Sequence, residues 1–492
     1  MKKLLAAAAV IVLLIGGAVA AVPLVERHVA GRIKIEMERD GTTTVGAVEV
    51  GLVDRRIRVT DLRSRQFGGI TIGRWQASGL AWPLDELLEG RTPISGLQLG
   101  DPLQAARLEL SDLRMAGKDV TLSVASLAIE GLNLERYDPP PAGSADPLIH
   151  LGARIARALS MARVEQKGTV LADARGDTTT LGTVSVGQFD KGMIGTLAVA
   201  GFEMSPKAGR APSIQVADAR LTGLDLRRGL SAMGQPAWRP GVPIGRVDLE
   251  AAIVSGFSGE ALARYGIALD SISSETRREG EGQGVKRSSL RIRGFVLAPP
   301  LRGIETLQLR IGLQAMGLKD LRLELDCSGV EDRARSEVSI DRCALSGAEL
   351  GEIDLSAKLV GADAAFWRAV DDGDGSALLA SKAGLGAARL AIVDRGLVER
   401  SLRAAAVTTG QPLAAVRAGV AQEIRRFRPP DVLITEDMTK LLDTVARFIE
   451  SGGTLTLEAR PDTPIRLDRL DYFRRPGPDL VNALGLGATL SR

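Results

Sequence analysis

The chain has 492 residues, with 63 Lys and Arg against 60 Asp and Glu, two His, two Cys, 45% apolar and 3% aromatic residues. A balanced quarter of charged residues with net charge +3 excludes the disordered polyelectrolyte and the densely basic nucleic-acid binder, and two His with two Cys cannot build a zinc cluster or a multi-disulfide scaffold. The length allows about two to four domains, or one elongated body with a sizeable core.

At the N-terminus, Lys2 and Lys3 precede a run from Leu4 to Val22 that carries no charged or strongly polar side chain. Such a run is long enough to cross a hydrocarbon layer about 30 Å thick at about 1.5 Å per residue. The small-x-small pattern Ala18-Val19-Ala20 also suits signal-peptide cleavage, but the usual apolar core of a signal peptide is shorter, so an uncleaved anchor over 1–25 is preferred. Arg27, Arg32, Lys34 and Arg39 follow the span and pull against export on short-range charge counting. The short basic head before the apolar run still predicts an exported body, because long domains translocate largely regardless of charge. His28, just past the anchor, is expected near lipid headgroups rather than in a catalytic site.

Residues 26–360 show period two: Val120, Leu122 and Val124 alternate with small or polar residues, as do Leu127 with Ile129, Leu307 through Leu313, and Leu321 through Leu325. This predicts strands with one apolar and one wet face. A unit apolar-x-apolar-x-Gly-apolar-x-apolar recurs at 127–134, 197–204, 219–226 and 290–297, with looser copies at 313–321 and 343–350. Variants at 57–62 and 108–113 put Asp where Gly stands. A mid-strand Gly marks a bulge or kink, a device that bends a long strand. The apolar positions of these units, Leu132, Leu134, Phe202, Met204, Leu224, Leu226, Phe295 and Leu297, are candidates for lipid contact; the preferred reading makes them an ordinary core covered by helices.

One helical insertion is expected near 146–166, where Asp146 caps a helix running through Met161 with Leu148, Leu151, Ile155 and Leu159 on one side and Arg154 and Arg157 elsewhere. His150 in this helix is expected at the surface or partly buried. The Gly-rich GEGQG at 280–284 reads as an exposed hairpin tip rather than a phosphate loop, since no strand-then-helix context frames it.

Cys327 ends one strand-like segment and Cys343 sits in the next, so a hairpin centred near Arg335 would set the thiols opposite one another. In an oxidising compartment they are expected to form a disulfide; two buried thiols in a cytosolic body are the alternative.

From 361 to 492 the texture becomes Ala-rich and helical, at 362–384, 396–427 and from Thr435 to about Glu450, where Gly452-Gly453 ends the helix before a strand at 454–459. DDGDG at 371–375 reads as a turn linking helices, because it lacks the ligand spacing and bidentate Glu of a calcium loop. The pairs Arg425-Arg426 and Arg474-Arg475 read as solvated faces. No H-E-x-x-H, G-x-S-x-G or G-x-x-x-x-G-K-[ST] occurs, so no catalytic residue, metal ligand or cofactor is assigned.

The fold class predicted is thus α+β, mainly β: an elongated, curved antiparallel-type sheet of repeated strands with a helical insertion and a helix-rich C-terminal part, behind one N-terminal transmembrane helix. The anchor, the early strand pair at 45–64, the repeated short strands with mid-strand Gly, and the segments 390–402 and 453–467 together resemble the AsmA-like family of bacterial envelope proteins, including its YdgA-type members. That resemblance implies an inner-membrane-anchored periplasmic protein whose partners are phospholipid or envelope assembly proteins, not nucleic acid. Larger members are regarded as β-rich grooves passing phospholipid toward the outer membrane; this chain is shorter and more helical at its C-terminal end. A non-enzymatic role in lipid handling or outer-membrane assembly is the expectation, and a periplasmic hydrolase or glycan-modifying enzyme using scattered carboxylates is the alternative.

Overall fold

The computed structural model describes residues 22–39, 41–65, 69–80, 83, 98–117, 120–140, 147–207, 211–239, 241–242, 244, 247–279, 284–428, 433–474 and 479–491. The apolar run from Leu4 lies outside these residues but for Val22, and GEGQG lies outside them but for Gly284. Among the described residues no helix is long and apolar enough to cross a membrane. Among the described residues the protein is mostly β, with 21 strands in an antiparallel sheet. The chain divides into two compact units, Met1–Ala211 with Arg220–Asp248, and Pro212–Ala219 with Leu249–Arg492.

The first unit opens with a helix over 22–38 (α1) that the sequence reading did not anticipate. Its Val29, Ala30 and Ile33 are buried against Val50, Ile57, Val59 and Ala77. These come from strands β2 (Ala47–Gly51), β3 (Arg56–Ser64) and β4 (Ile70–Ser78), so α1 lids the start of the sheet. Polar clasps fix it there: Leu52 N–H donates to Glu26 at 2.9 Å, Val45 N–H to Glu38 at 2.8 Å, and Lys34 Nζ to the Gly46 carbonyl at 3.0 Å. His28 is exposed on this helix. The sheet continues through β5 (Leu103–Ala116), β6 (Val120–Leu134), β7 (Leu159–Asp173), β8 (Thr178–Asp190) and β9 (Met193–Ser205), each paired with the next.

The helical insertion is α2 (Pro147–Ala158), packed on α3 (Arg227–Met233). It stops three residues before Met161: Leu159 already pairs with Leu134 as the first residue of β7. One expectation for this helix is corrected. His150 is fully buried, its Nε2 3.2 Å from the Trp238 carbonyl oxygen. Arg154, half-buried, donates to the carbonyls of Asp138 at 2.9 Å and Gly234 at 3.4 Å. Periodicity of apolar side chains ranks His150 as surface or partly buried, whereas a backbone carbonyl of a neighbouring loop draws it in.

Within the second unit, β11 (Ala251–Ser258), β13 (Ser271–Glu279), β14 (Val285–Leu297), β15 (Leu321–Asp332), β16 (Glu337–Gly347), β17 (Gly351–Val360), β18 (Gly384–Asp394), β19 (Thr454–Ala459) and β21 (Leu486–Ser491) pair in that order. After the short α4 (Glu260–Tyr265), residues 307–313, read as a strand, form helix α5 (Leu307–Ala315). The alternation there is equally a set of i,i+4 pairs, 307 with 311 and 309 with 313, so period alone could not decide. The C-terminal helices stand where the sequence put them. They are α6 (Ala364–Asp372), α7 (Gly375–Leu379), α8 (Leu397–Thr409), α9 (Leu413–Arg426) and α10 (Glu436–Ser451). DDGDG links α6 to α7: Gly373 takes a left-handed φ of 71° and Asp374 caps α7 by accepting from Ser376 and Ala377. Phe366 and Trp367 of α6 are buried against Val338 and Leu359, while Leu402, Val416 and Ile449 join α8, α9 and α10. Arg425 clamps α9 to α10 through Glu450 at 2.7 and 2.9 Å and Asp443 at 2.9 Å.

Candidate functional site

The mid-strand Gly and Asp residues singled out by the repeat share one conformation. Asp61, Asp112, Gly131, Gly201, Gly223 and Gly294 have φ of 51°, 55°, 64°, 65°, 63° and 65°. Left-handed backbone in a strand is natural for Gly and tolerated by Asp. In β6 the apolar residues Leu127, Ile129, Leu132 and Leu134 slip phase at Gly131, and a regular pleat would throw Leu132 to the wet face. Instead Leu132 packs in the same cluster as Leu108, the residue paired with Ile129. The left-handed residue therefore resets the alternation and keeps every apolar side chain on one face. Of the looser repeats, Gly317 follows helix α5 and Gly347 has no positive φ.

In the first unit this face carries cross-strand rows such as Ala77, Leu108, Ile129, Val164, Val186 and Leu197, consecutive partners from β4 to β9. The second unit has a longer row: Val254, Ile272, Ile292, Leu325, Leu345, Ile353, Ile392, Leu455 and Leu490. Leu455 is the one member of that row that is buried. Leu345 within the row keeps 39% of its surface, and Leu290 and Leu355 beside the row keep 38 and 39%, too much for side chains beneath a packed layer.

The eight candidate residues fall on the sheets as expected for strand positions, and none is buried. Leu132, Leu134, Phe202, Leu224, Leu226, Phe295 and Leu297 are half-buried, and Met204 is exposed. Leu226 lies one residue past β10 (Ile214–Asp225), where its N–H donates to the Gly192 carbonyl at 2.9 Å. At Leu132 the core preferred from sequence is partly formed, since this residue packs against the cluster beneath α1, while the other seven are half-buried or exposed. α1 sits on β2 to β5, in a cluster that reaches Leu132 of β6, while α8, α9 and α10 pack on one another and α10 also lies on β19 and β21.

Cys327 and Cys343 face each other in the β15/β16 register, Cα atoms 3.9 Å apart, and are joined in a disulfide. They occupy the row Leu290, Cys327, Cys343, Leu355, so the bridge belongs to the apolar face.

The opposite face is wet and ionic. In the first unit Glu165 lies 2.7 Å from Lys167 and 3.3 Å from Arg163, and the Lys167 hydrogen bond holds its carboxyl below the usual range. In the second, Asp326 meets Arg293 at 3.1 Å, and Arg342 bridges Glu352 at 2.7 Å and Asp354 at 3.5 Å. The shifted carboxylates among the described residues, including Asp225 beside Arg227 and Glu450 beside Arg425, are all moved downward by hydrogen-bonded partners, the reverse of what a general acid requires. Among the described residues no group of three or more His, Cys, Asp or Glu could hold a metal ion.

Sequence reasoning missed a second feature of the kinks. Several left-handed residues stand beside a small one on the neighbouring strand: a Cβ on Gly131 would lie 3.1 Å from Ala162 Cβ, one on Gly168 2.9 Å from Ala125 Cβ, and one on Gly256 2.4 Å from Ala217 Cβ, whereas Gly294 stands beside Asp270. The signal was present as Ala125, Ala162 and Ala217 within otherwise regular strands, and it acquires meaning only once the register is known.

A family model described as an uncharacterized protein matches residues 344–490, under a third of the chain, from within β16 to within β21. No curated protein matches the chain.

Proposed function

We propose that this is an AsmA-like, non-enzymatic protein of the bacterial envelope, anchored in the inner membrane by residues 4–22 with its body in the periplasm, and that it handles lipid by laying acyl chains on the open apolar face of its sheets. The observation that carries this reading is the half-exposed aliphatic surface formed by Ile272, Ile292, Leu325, Leu345 and Ile353 with Leu290 and Leu355. A contiguous apolar surface of this kind is rare on a folded protein without an occupant. Five strands at about 4.8 Å spacing span on the order of 20 Å, and each methylene buried there gains about 0.8 kcal/mol before the cost of ordering the chain.

Three further features support it. The left-handed residues bend strands as a sheet must to become a trough. The Cys327–Cys343 bridge is the kind of bond an oxidising compartment sustains. The ionic opposite face keeps the back of the sheet in water and leaves a single surface for lipid.

The test is to purify the full chain in mild detergent and identify bound phospholipid by mass spectrometry, then to delipidate it and measure uptake of a fluorescent acyl chain. Saturable uptake that falls when Leu325 and Leu345 are changed to Asp is expected. No uptake by folded, delipidated protein would refute the reading.

A further inference from the structure

The two most exposed large apolar side chains among the described residues of the second unit, Leu301 and Ile304, lie on the connection between β14 and β15 with three further exposed aliphatic residues. Leu301 and Ile304 are 84 and 89% exposed, Ile311 is 55% exposed, and Leu307 and Leu309 are 44 and 40% exposed. This is not a frayed loop. The buried Thr306 hydroxyl lies 3.3 Å from the Pro300 carbonyl and 3.4 Å from that of Gly303, and the Arg310 guanidinium donates to the Leu301 carbonyl. Leu307 N–H closes the turn onto the Ile304 carbonyl at 3.1 Å. The tips are therefore held out in water by a pinned turn.

Helix α5 behind them is apolar on two opposite sides. Leu309 and Leu313 follow one stripe, where Leu313 is buried and anchors the helix. Leu307 and Ile311, spaced i and i+4, form the other stripe and face solvent, just beyond the exposed Ile304 of the preceding turn. A helix apolar on both sides needs a second apolar surface against its outer side.

We infer that this turn and helix form a wedge that inserts into the surface of an anionic lipid bilayer, and that it marks the end of the apolar face at which lipid enters or leaves. The inference rests on the lipid-handling reading and adds to it a place. Two observations select a bilayer over a protein partner. The charges of the connection are Arg302, Arg310 and Lys319 against Glu305, with Asp320 already held by Arg322 at 3.0 Å, so a cationic surplus flanks the apolar tips, the pattern that anionic headgroups attract. The wedge is also continuous with the open face: it leaves β14 directly after Leu297, which pairs with Leu321 where β15 begins, and Phe295 pairs with Leu323 beside them.

The experiment uses the full chain reconstituted in vesicles of phosphatidylethanolamine and phosphatidylglycerol, with an environment-sensitive dye on Ile304→Cys; the native thiols are tied up in the disulfide. A matched label on Leu379→Cys, an exposed apolar site 54% accessible on α7, serves as control. Lipid carrying a spin label in its acyl chain is placed first in the same vesicles and then in added protein-free vesicles. Insertion predicts a blue-shifted dye at 304, quenched by spin-labelled lipid from one of the two sources, with the label at 379 unquenched. Adding Leu301→Asp should cut the quenching about tenfold, as expected for replacing a membrane-buried Leu by a charge. Equal quenching at 304 and 379, no quenching from either source, or a blue shift that tracks protein concentration and ignores the spin label would overturn the wedge; the last result would assign the cluster to a second copy of the chain. Acyl uptake by delipidated protein is read separately, so loss of the wedge with uptake intact leaves the lipid-handling reading standing.

Discussion

The kinks make a graded prediction at three glycines that share a left-handed backbone and differ in what surrounds them. Replacing any of them with Ala costs about 1–2 kcal/mol of left-handed strain, less the 0.4–1 kcal/mol recovered through the stiffer unfolded chain. At Gly201 the nearest foreign atom to the new Cβ is Gly182 Cα at 3.5 Å, an ordinary contact, so strain alone acts and the loss is on the order of 1 kcal/mol. At Gly131 the Cβ meets Ala162 Cβ at 3.1 Å and its N at 3.4 Å, which brings the loss to about 2 kcal/mol. At Gly256 the distance to Ala217 Cβ is 2.4 Å, an overlap relieved only by moving backbone, and about 3 kcal/mol or more is expected. Native-state hydrogen exchange, read over 120–134 and 193–205 in one unit and 251–258 in the other, gives each local opening energy without requiring one cooperative transition. Ala162→Gly should relieve Gly131→Ala by removing the crowded methyl, and Gly201→Asn should cost less than Gly201→Ala. Equal losses at Gly201 and Gly256, or no relief by Ala162→Gly, would show that the small neighbours are not there to admit the kink.

Other expectations follow from the same surfaces. Reducing the Cys327–Cys343 bridge, or replacing both residues with Ala, should destabilise the second unit by up to about 3 kcal/mol for a loop of 16 residues, and mass spectrometry with thiols blocked before lysis should find no free thiol in the native protein. Leu345→Asp, at a side chain already 39% exposed, should cost about 1 kcal/mol or less in stability yet lower acyl uptake about tenfold. Ile57→Ala beneath α1 should do the opposite, losing about 2–5 kcal/mol while each folded molecule takes up lipid normally. Arg425 holds the Glu450 carboxyl below its ordinary value, so the clamp contributes stability above about pH 4.3 and loses it as pH falls through the lowered folded value; hydrogen exchange over 413–451 should accelerate in acid, and less steeply in Arg425→Met.

Much of the sheet was legible because a two-residue period and its interruption are both local signals. The repeat at 127–134 located Gly131 as a kink, and Asp61 and Asp112 were placed in the same role by pattern. Helices α8 to α10 and strand β19 were equally plain from caps and periodicity. Failures came where the deciding contact is distant in sequence. His150 is buried by a carbonyl 88 residues away, and α1 is a helix because β2 to β5 offer it an apolar bed. Residues 307–313 satisfied two periods at once, and the choice fell to the buried anchor Leu313. Whether the apolar face would be a core could not be read at all, since alternation says which side chains share a face and nothing about what lies over it.

The left-handed residues also follow a rule across the strands. From β3 to β9 of the first unit the mid-strand ones lie in two lines: Asp61, Asp112, Gly168 and Gly201 on β3, β5, β7 and β9, and Gly131 and Gln188 on β6 and β8. Within each line the intervening strands present Gly73, Ala125 and Gly182, or Ala162, so a kinked strand always meets a neighbour without bulk. A sheet built only to cover a core needs no such spacing, because helices on its apolar side would hold strands of any regular pleat. Here nearly the whole apolar side beyond β5 is left half-open, so the bend has to be written into the strands themselves. That places the constraint on backbone positions such as Gly131 and Ala162 and leaves the identity of the aliphatic side chains loose. Exchange of Leu, Ile and Val along Ile129, Val164 and Val186 should then be tolerated far better than any added methyl at the kinks, the pattern expected of a surface for acyl chains, which fits bulk and apolarity rather than a particular contour.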